Sequence, residues 1–286
     1  MKEASAKRLN RSFGGDITIW VILLFFGVFM ILPLVFAISS SLKPMNEIFA
    51  FPPRFFVKNP TFRNYFDLFN MMSESWIPFT RYFFNTFFVA LTGTIGHVLL
   101  SSMAAYALSK HKFPGRRVLF EITVLSLMFT TAVTAIPSFF ILSKLGLMNT
   151  YWALILPAFS SPLGLYLMKQ FIEQMVRDDV LEAARIDGSG EVNTFFKIVM
   201  PMVKPAWLTL IVFSFQGLWA MGESTLIQRE ELKTLNYALS QILAAGVART
   251  GAAAAAAVVM MILPIIVFVT TQGSIIETMS SSGMKD

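Results

Sequence analysis

Six stretches of this 286-residue chain are each apolar for about the length that crosses a bilayer, and this feature leaves few folds open. A spanning helix needs about 20 consecutive, mostly apolar residues. The stretches run from about Ile17 to Leu42, Tyr82 to Ser109, Val118 to Leu142, Tyr151 to Met168, Pro205 to Ile227 and Ala252 to Ile276. Lipid offers no hydrogen-bond partners, so backbone N–H and C=O groups must pair inside each segment, which makes the segments helical. The short alternating strands of a membrane barrel are missing. Only 14% of residues are charged, against about a quarter in soluble domains. The expected fold class is therefore all-α integral membrane with six transmembrane helices. Lys2, Lys7, Arg8 and Arg11 precede the first stretch as they would in a signal peptide. Its apolar run is longer than the usual core of about 7–15 residues, so a retained helix is expected.

Charge sets the orientation. The net charge of +6 comes from basic residues lying between apolar stretches, with no basic patch interleaved with aromatics. A topological role is expected, and no nucleic-acid partner. With the N-terminus inside, the inner segments 1–16, 110–117, 169–204 and 277–286 carry 14 of the 23 lysines and arginines. Both termini are thus expected to be cytoplasmic. Residues 1–16 form an N-terminal segment, 17–276 the six-helix domain with the loop 169–204 inside it, and 277–286 a tail.

Several chemistries find no residues to carry them. There is no cysteine, hence no disulfide, thiolate metal site or cysteine nucleophile. No G-x-x-x-x-G-K-[ST], H-E-x-x-H or G-x-S-x-G pattern occurs. Neither a catalytic site nor a metal site is expected. Polar residues inside lipid are costly and so informative. His97 suits either a hydrogen-bonded packing role or a proton relay. Glu121 has Arg116 and Arg117 near it for an interfacial ion pair. Gln216 and Glu223 are candidates to line a wet path. Pro33, Pro137, Pro157, Pro162 and Pro264 are candidate kinks.

Two connections, 43–81 outside and 169–204 inside, are too long for turns, and long structured loops tend to carry function. The inner one suits a helix over Val180–Ile186, a break at Gly188 and Gly190, then a second helix through Phe195, Phe196, Ile198 and Val199 before Pro201 and Pro205. Its apolar residues are too many for a solvated loop. They fit an amphipathic helix on the membrane surface or a docking segment.

The spacing here resembles the EAA signature of ABC-importer permeases: Glu182-Ala183-Ala184, three residues, Gly188, nine residues, then Ile198-Val199-Met200-Pro201. Met200 stands where leucine is usual, a volume-conserving change. Asp187 and Pro205 match the branch that takes up carbohydrates. Further stretches are similar to the smaller maltose-type permease subunit: Ser41-Leu42-Lys43-Pro44, Glu47, Pro52-Pro53, Pro60-Thr61, Asn64-Tyr65, Asn85-Thr86, the run Ala104–Ser109, Gly146–Thr150 and the tail Ser282–Asp286.

The resemblance implies a type I ABC importer permease fold whose cytoplasmic loop is a coupling helix. Glu182, Ala183, Ala184, Asp187, Gly188, Ile198 and Pro201 would contact an ATP-binding subunit. It implies two such subunits, a second homologous permease forming a heterodimer, and an extracytoplasmic substrate-binding protein. ATP and magnesium would sit on the ATPase, with no cofactor in this chain. Asn85, Gln216, Trp219 and Glu223 would be near the translocation path. Where Trp-Asn is common in the family this chain has Trp219-Ala220, which removes one polar contact to solute. Lys233, Thr234 and Leu235 would meet the binding protein. The location implied is a bacterial or archaeal cell membrane, and the solute a sugar or oligosaccharide. A non-sugar ABC importer is the alternative, and a secondary transporter a more distant one.

Overall fold

The computed structural model describes residues 13–73, 77–222, 225–244 and 249–282. Every regular element among them is helical. In chain order these are α1 (Phe13–Ser41), α2 (Met45–Ile48), α3 (Arg63–Ser73), α4 (Phe79–Lys110), α5 (Arg116–Ser126), α6 (Thr131–Lys144), α7 (Trp152–Phe159), α8 (Pro162–Met175), α9 (Asp178–Ile186), α10 (Glu191–Thr194), a π turn over Phe195–Val199, α11 (Met200–Met202), α12 (Lys204–Trp219), a 3-10 turn over Glu230–Leu232, α13 (Leu235–Ala244) and α14 (Thr250–Ser282). The described residues divide into two compact units. One runs to Leu68 and includes 249–258, and the other runs from Phe69 to 244 and resumes at Val259.

Among the described residues three helices, α1, α4 and α14, are long and apolar enough to cross a membrane. The count rises to five if each sharply bent pair is one span, so six spans do not follow from length and composition. The third apolar stretch, expected as one helix over 118–142, is instead α5 and α6 meeting at 114°. Thr130 turns to extended backbone (ψ 156°) just before α6, a place where short hydroxyl residues are favoured. The fourth stretch breaks between α7 and α8. Pro162 has no N–H to give Ala158, and it pushes Ser161 out of helical geometry to ψ 115°. The fifth stops at Trp219 rather than Ile227. The sixth continues past Ile276 to Ser282.

α1 is apolar all round, and none of its most apolar 18-residue window is buried. That is the pattern of a helix whose solvent is hydrocarbon. α4 is patterned inside out. Its buried stripe is Asn85, Thr86, Ala90, Gly93, Thr94, His97, Ser101, Ser102 and Ala105, with Val89 and Val98. Its exposed side carries Phe84, Phe87, Phe88, Leu91, Ile95, Leu99, Leu100 and Met103. Membrane helices associate through small and hydroxyl residues because burying Leu against Leu gains nothing over lipid. α4 accordingly packs on α7, α8 and α12. At Gly96 an added Cβ would run into the Phe159 ring of α7, and at Gly164 a Cβ on α8 would run into His97.

The first unit holds a polar network. Glu47 accepts hydrogen bonds from the Lys58 and Asn59 amides, each at 2.9 Å, and from Asn59 Nδ2 at 3.0 Å. Asn64 Nδ2 donates to the carbonyls of Ser41 at 2.7 Å and Lys43 at 2.8 Å. Ser41 Oγ pairs with Tyr65 OH at 2.8 Å, and the Thr61 amide donates to the Leu42 carbonyl at 2.9 Å. The motif residues of this loop are thus the ones that fold it.

The amide of Lys58, with those of Asn59, holds the Glu47 carboxyl below the usual carboxylate range. A depressed pKa adds stability above the ordinary value, and that stability is lost as pH falls through the folded value. We expect the protection factors of the Lys58 and Asn59 amides in hydrogen exchange to hold from neutral pH into the mildly acidic range, then collapse. In Glu47→Gln they should be low throughout. Equal protection of wild type and variant at neutral pH would contradict this role.

Candidate functional site

The long loop 169–204 folds as anticipated up to its turn. Asp178 and Asp179 lie in the first turn of α9 and Arg185 in its last, each complementing the helix dipole. Gly188 ends the helix at φ +77°, where a side chain would be strained. Ser189 N then reaches back to the Ala184 carbonyl at 2.9 Å. After α10 the ladder slips into a π turn ahead of Pro201, which has no N–H to give the carbonyl four residues back. The chain bends by 82° between Glu191–Met202 and α12. Trp207 Nε1 holds the elbow by donating to the Met200 carbonyl at 3.0 Å.

α9 is two-faced. Leu181 and Ala184 are buried, and Leu181 joins a core with Tyr106, Met168, Ile172, Phe195 and Val199. Glu182, Ala183, Ile186, Asp187 and Gly188 face outward. Of the two alanines that would admit a partner, Ala184 is therefore spent on the chain's own packing and Ala183 alone is open. Ile186 is 86% exposed and Val192 is 72% exposed. Ile198 is half-buried and Pro201 exposed.

The loop is tied to the end of α4 at two points. Lys110 Nζ donates to Asp178 at 2.7 Å and holds that carboxyl below its usual range. Glu191 accepts from Tyr106 OH at 2.9 Å and from Arg185 at 3.3 Å, with His111 Nε2 at 3.5 Å. Composition and spacing did not single out Tyr106, Lys110 or Glu191 as partners. The usable signal was a buried-face tyrosine one turn before a lysine at the helix end.

A second cluster lies at the other end of α4. Asn85 is fully buried. Its Nδ2 donates to the carbonyls of Glu231 at 2.8 Å and Lys233 at 2.9 Å, and its Oδ1 accepts from Tyr151 OH at 2.7 Å. Thr86 Oγ1 accepts from the Leu235 amide at 2.7 Å. Asn149, at φ +58°, accepts from the amides of Gln228 and Arg229. Asn85, Lys233, Thr234 and Leu235 are thus brought together as a clip for the loop 225–235. Thr234 and Leu235 are buried in it, while Gln228, Arg229, Glu230 and Glu231 are exposed. Trp219 is also buried, its Nε1 bonded to the Met260 carbonyl at 2.9 Å. With every polar side-chain atom bonded inside the chain, Asn85 and Trp219 have none left for a solute. Gln216 is exposed on α12. Glu223 lies outside the described residues.

His97 is explained by the break in the fourth stretch. Pro162 leaves the Ala158 carbonyl without its helical donor, and His97 Nδ1 sits 2.7 Å from that oxygen. A carbonyl only accepts, so Nδ1 carries the proton. His97 also lines a recess of about 410 Å³, with Thr131, Ser161 and Ser214 among mostly apolar walls that include Leu163, Leu210 and Phe213.

The family model described as "Binding-protein-dependent transport system inner membrane component" matches residues 97–278. The diacetylchitobiose uptake system permease protein NgcG of Streptomyces coelicolor is 33% identical over 202 residues, 69% of this chain and 64% of that protein, so the match spans less than two thirds of its length. The polygalacturonan/rhamnogalacturonan transport system permease protein YtcP of Bacillus subtilis is 32% identical over 214 residues, 73% of this chain and 70% of that one. A solved bacterial ABC transporter involved in alginate import has a chain of the same fold. Its TM-score is 0.77 at 23% identity, covering 92% of this chain and 98% of that one.

Tyr106→Phe deletes the buried hydroxyl at Glu191 and should loosen the loop by about 1 kcal/mol. Hydrogen exchange should quicken across 187–195 and stay unchanged across 89–98. Unchanged exchange in both segments would remove the tie between loop and α4.

Proposed function

Because the chain belongs to the family of binding-protein-dependent transport system inner membrane components, we propose that it is one permease subunit of an ATP-driven importer for an oligosaccharide or related sugar. The observation that carries this reading is the outward ridge of α9, Glu182, Ala183 and Ile186, in a loop whose other face is packed into the chain. A large aliphatic side chain left in water forgoes about 1.5–3 kcal/mol of burial, and a docking partner recovers it. That partner is an ATP-binding subunit, which holds ATP and magnesium and hydrolyses the nucleotide. This chain contributes no catalytic residue. The names of NgcG and YtcP support the saccharide class.

Two ATP-binding subunits and a second, homologous permease complete the importer, in a bacterial or archaeal cell membrane with both termini cytoplasmic. Solute passes by alternating access. Gln216 and the recess lined by His97, Ser161 and Ser214 form this chain's share of the path, where a hydroxyl-rich solute finds an imidazole and several hydroxyls. The substrate-binding protein meets the exposed stretch Gln228–Glu231. When ATP closes the nucleotide-binding dimer, α9 moves, and its ties at Asp178 and Glu191 carry the motion to α4.

The test is isolation of this chain from native membranes with identification by mass of what accompanies it. An ATPase, a second permease and a saccharide-binding protein are expected. Isolation of the chain alone would overturn the reading, and a partner specific for a non-sugar solute would overturn its substrate. In the reconstituted complex, Glu182→Lys and Ile186→Asp should insert normally yet lose roughly tenfold or more of substrate-stimulated ATPase activity, the effect of about 1.4 kcal/mol or more of lost docking. Full stimulation in both would contradict the coupling role.

A further inference from the structure

At the end of α4 that holds the coupling loop, a recess of about 560 Å³ is walled by Lys112, Phe113, Arg116, Arg117, Phe120 and Lys169. No acidic side chain lines it. We propose that this recess binds the phosphate headgroup of an anionic phospholipid.

The charges do not close. Lys169, with a side chain 10% exposed, reaches Glu173 at 2.7 Å, and its Nζ lies 4.0 Å over the Phe120 ring. The same Glu173 is the carboxylate for Arg116 at 3.6 Å, and Arg116 also donates to the Ser109 carbonyl at 3.1 Å. Arg117 pairs with Glu121 at 2.8 Å on the outside. Lys112 is exposed. Four cations thus face two carboxylates, an excess of two positive charges at a membrane boundary. Surplus charge beside hydrocarbon is costly. A phosphodiester offsets it through charge-assisted bonds, and Arg suits phosphate oxygens in particular.

The surroundings choose a lipid over a free anion. The recess opens at the start of α5, a helix with no buried residue. Just beyond it Val118 is 56%, Leu119 51%, Ile122 56% and Leu125 57% exposed. A positive recess continuous with an uncovered apolar flank fits a molecule with an anionic head and acyl tails. Inorganic phosphate would use the recess and leave the flank bare. Basic pockets of this kind between membrane helices are where anionic headgroups bind. The proposal needs only that the chain is membrane-embedded, so it stands or falls apart from the importer reading.

The test uses the full chain, with whatever subunits accompany it, in nanodiscs of phosphatidylcholine mixed with phosphatidylglycerol. Lipid retained after detergent extraction is read by native mass spectrometry. Phosphatidylglycerol should be retained about thirtyfold over phosphatidylcholine, as expected for two surplus cations at a membrane surface. The exposed pair Lys112→Gln and Arg117→Gln, chosen because neither side chain is buried, should bring the two lipids close to parity. Rescue by Lys112→Arg with Arg117→Lys should restore the preference. Equal retention of both lipids, or a glutamine variant that keeps phosphatidylglycerol, would overturn the proposal. Displacement of the lipid by inorganic phosphate would reassign the recess to a free anion, and a second subunit found covering it would do the same for a protein.

Discussion

Hydrocarbon will not hydrogen-bond, and this one constraint organises the molecule around α4. The helix turns its small and hydroxyl residues inward and its phenylalanines and leucines outward. The polar groups it buries are nearly all answered within the second unit. Asn85 and Thr86 hold the loop 225–235, His97 holds the carbonyl that Pro162 orphans, and Tyr106 and Lys110 hold the loop of α9 and α10. Among the described residues, Thr94 Oγ1 is the buried side-chain polar atom left without a partner. The break between α7 and α8 is tolerated because His97 on α4 meets the carbonyl that Pro162 orphans.

This arrangement makes α4 a shaft between two surfaces. One end fixes the loop that exposes Gln228–Glu231, and the other fixes the loop that exposes Ile186 and Val192. One attachment is side chains reaching backbone, and the other is Tyr106 and Lys110, both buried at their charged or hydroxyl ends, reaching two exposed carboxylates, which makes both directional. Both loops are held by a single helix of 32 residues.

Much of this was legible in the residues. Apolar length identified the membrane class, and Gly188 marked the turn that ends α9 because only glycine sits easily at positive φ. The inverted stripe of α4 was there to be read at a spacing of three and four residues, as was the Ala158–Pro162 pair that predicts an orphaned carbonyl. Other features were not, because they depend on distant chain. The 114° bend at Thr130 has no proline to announce it. Glu191 finds Tyr106 across 85 residues. Motif residues also proved ambiguous in kind. Asn85, Thr234 and Leu235 carry the family pattern, yet their side chains build the clip and leave the outward face to Gln228–Glu231.

The central claim is that the ridge of α9 docks on an ATP-binding subunit. Since the chain contains no cysteine, Ile186→Cys gives a thiol-specific crosslinker one address on this subunit. In native membranes that variant should yield a crosslinked species containing the ATPase, while Phe51→Cys, at a 95% exposed position in the first unit, should not. An ATPase adduct from both positions, or from neither, would contradict the account.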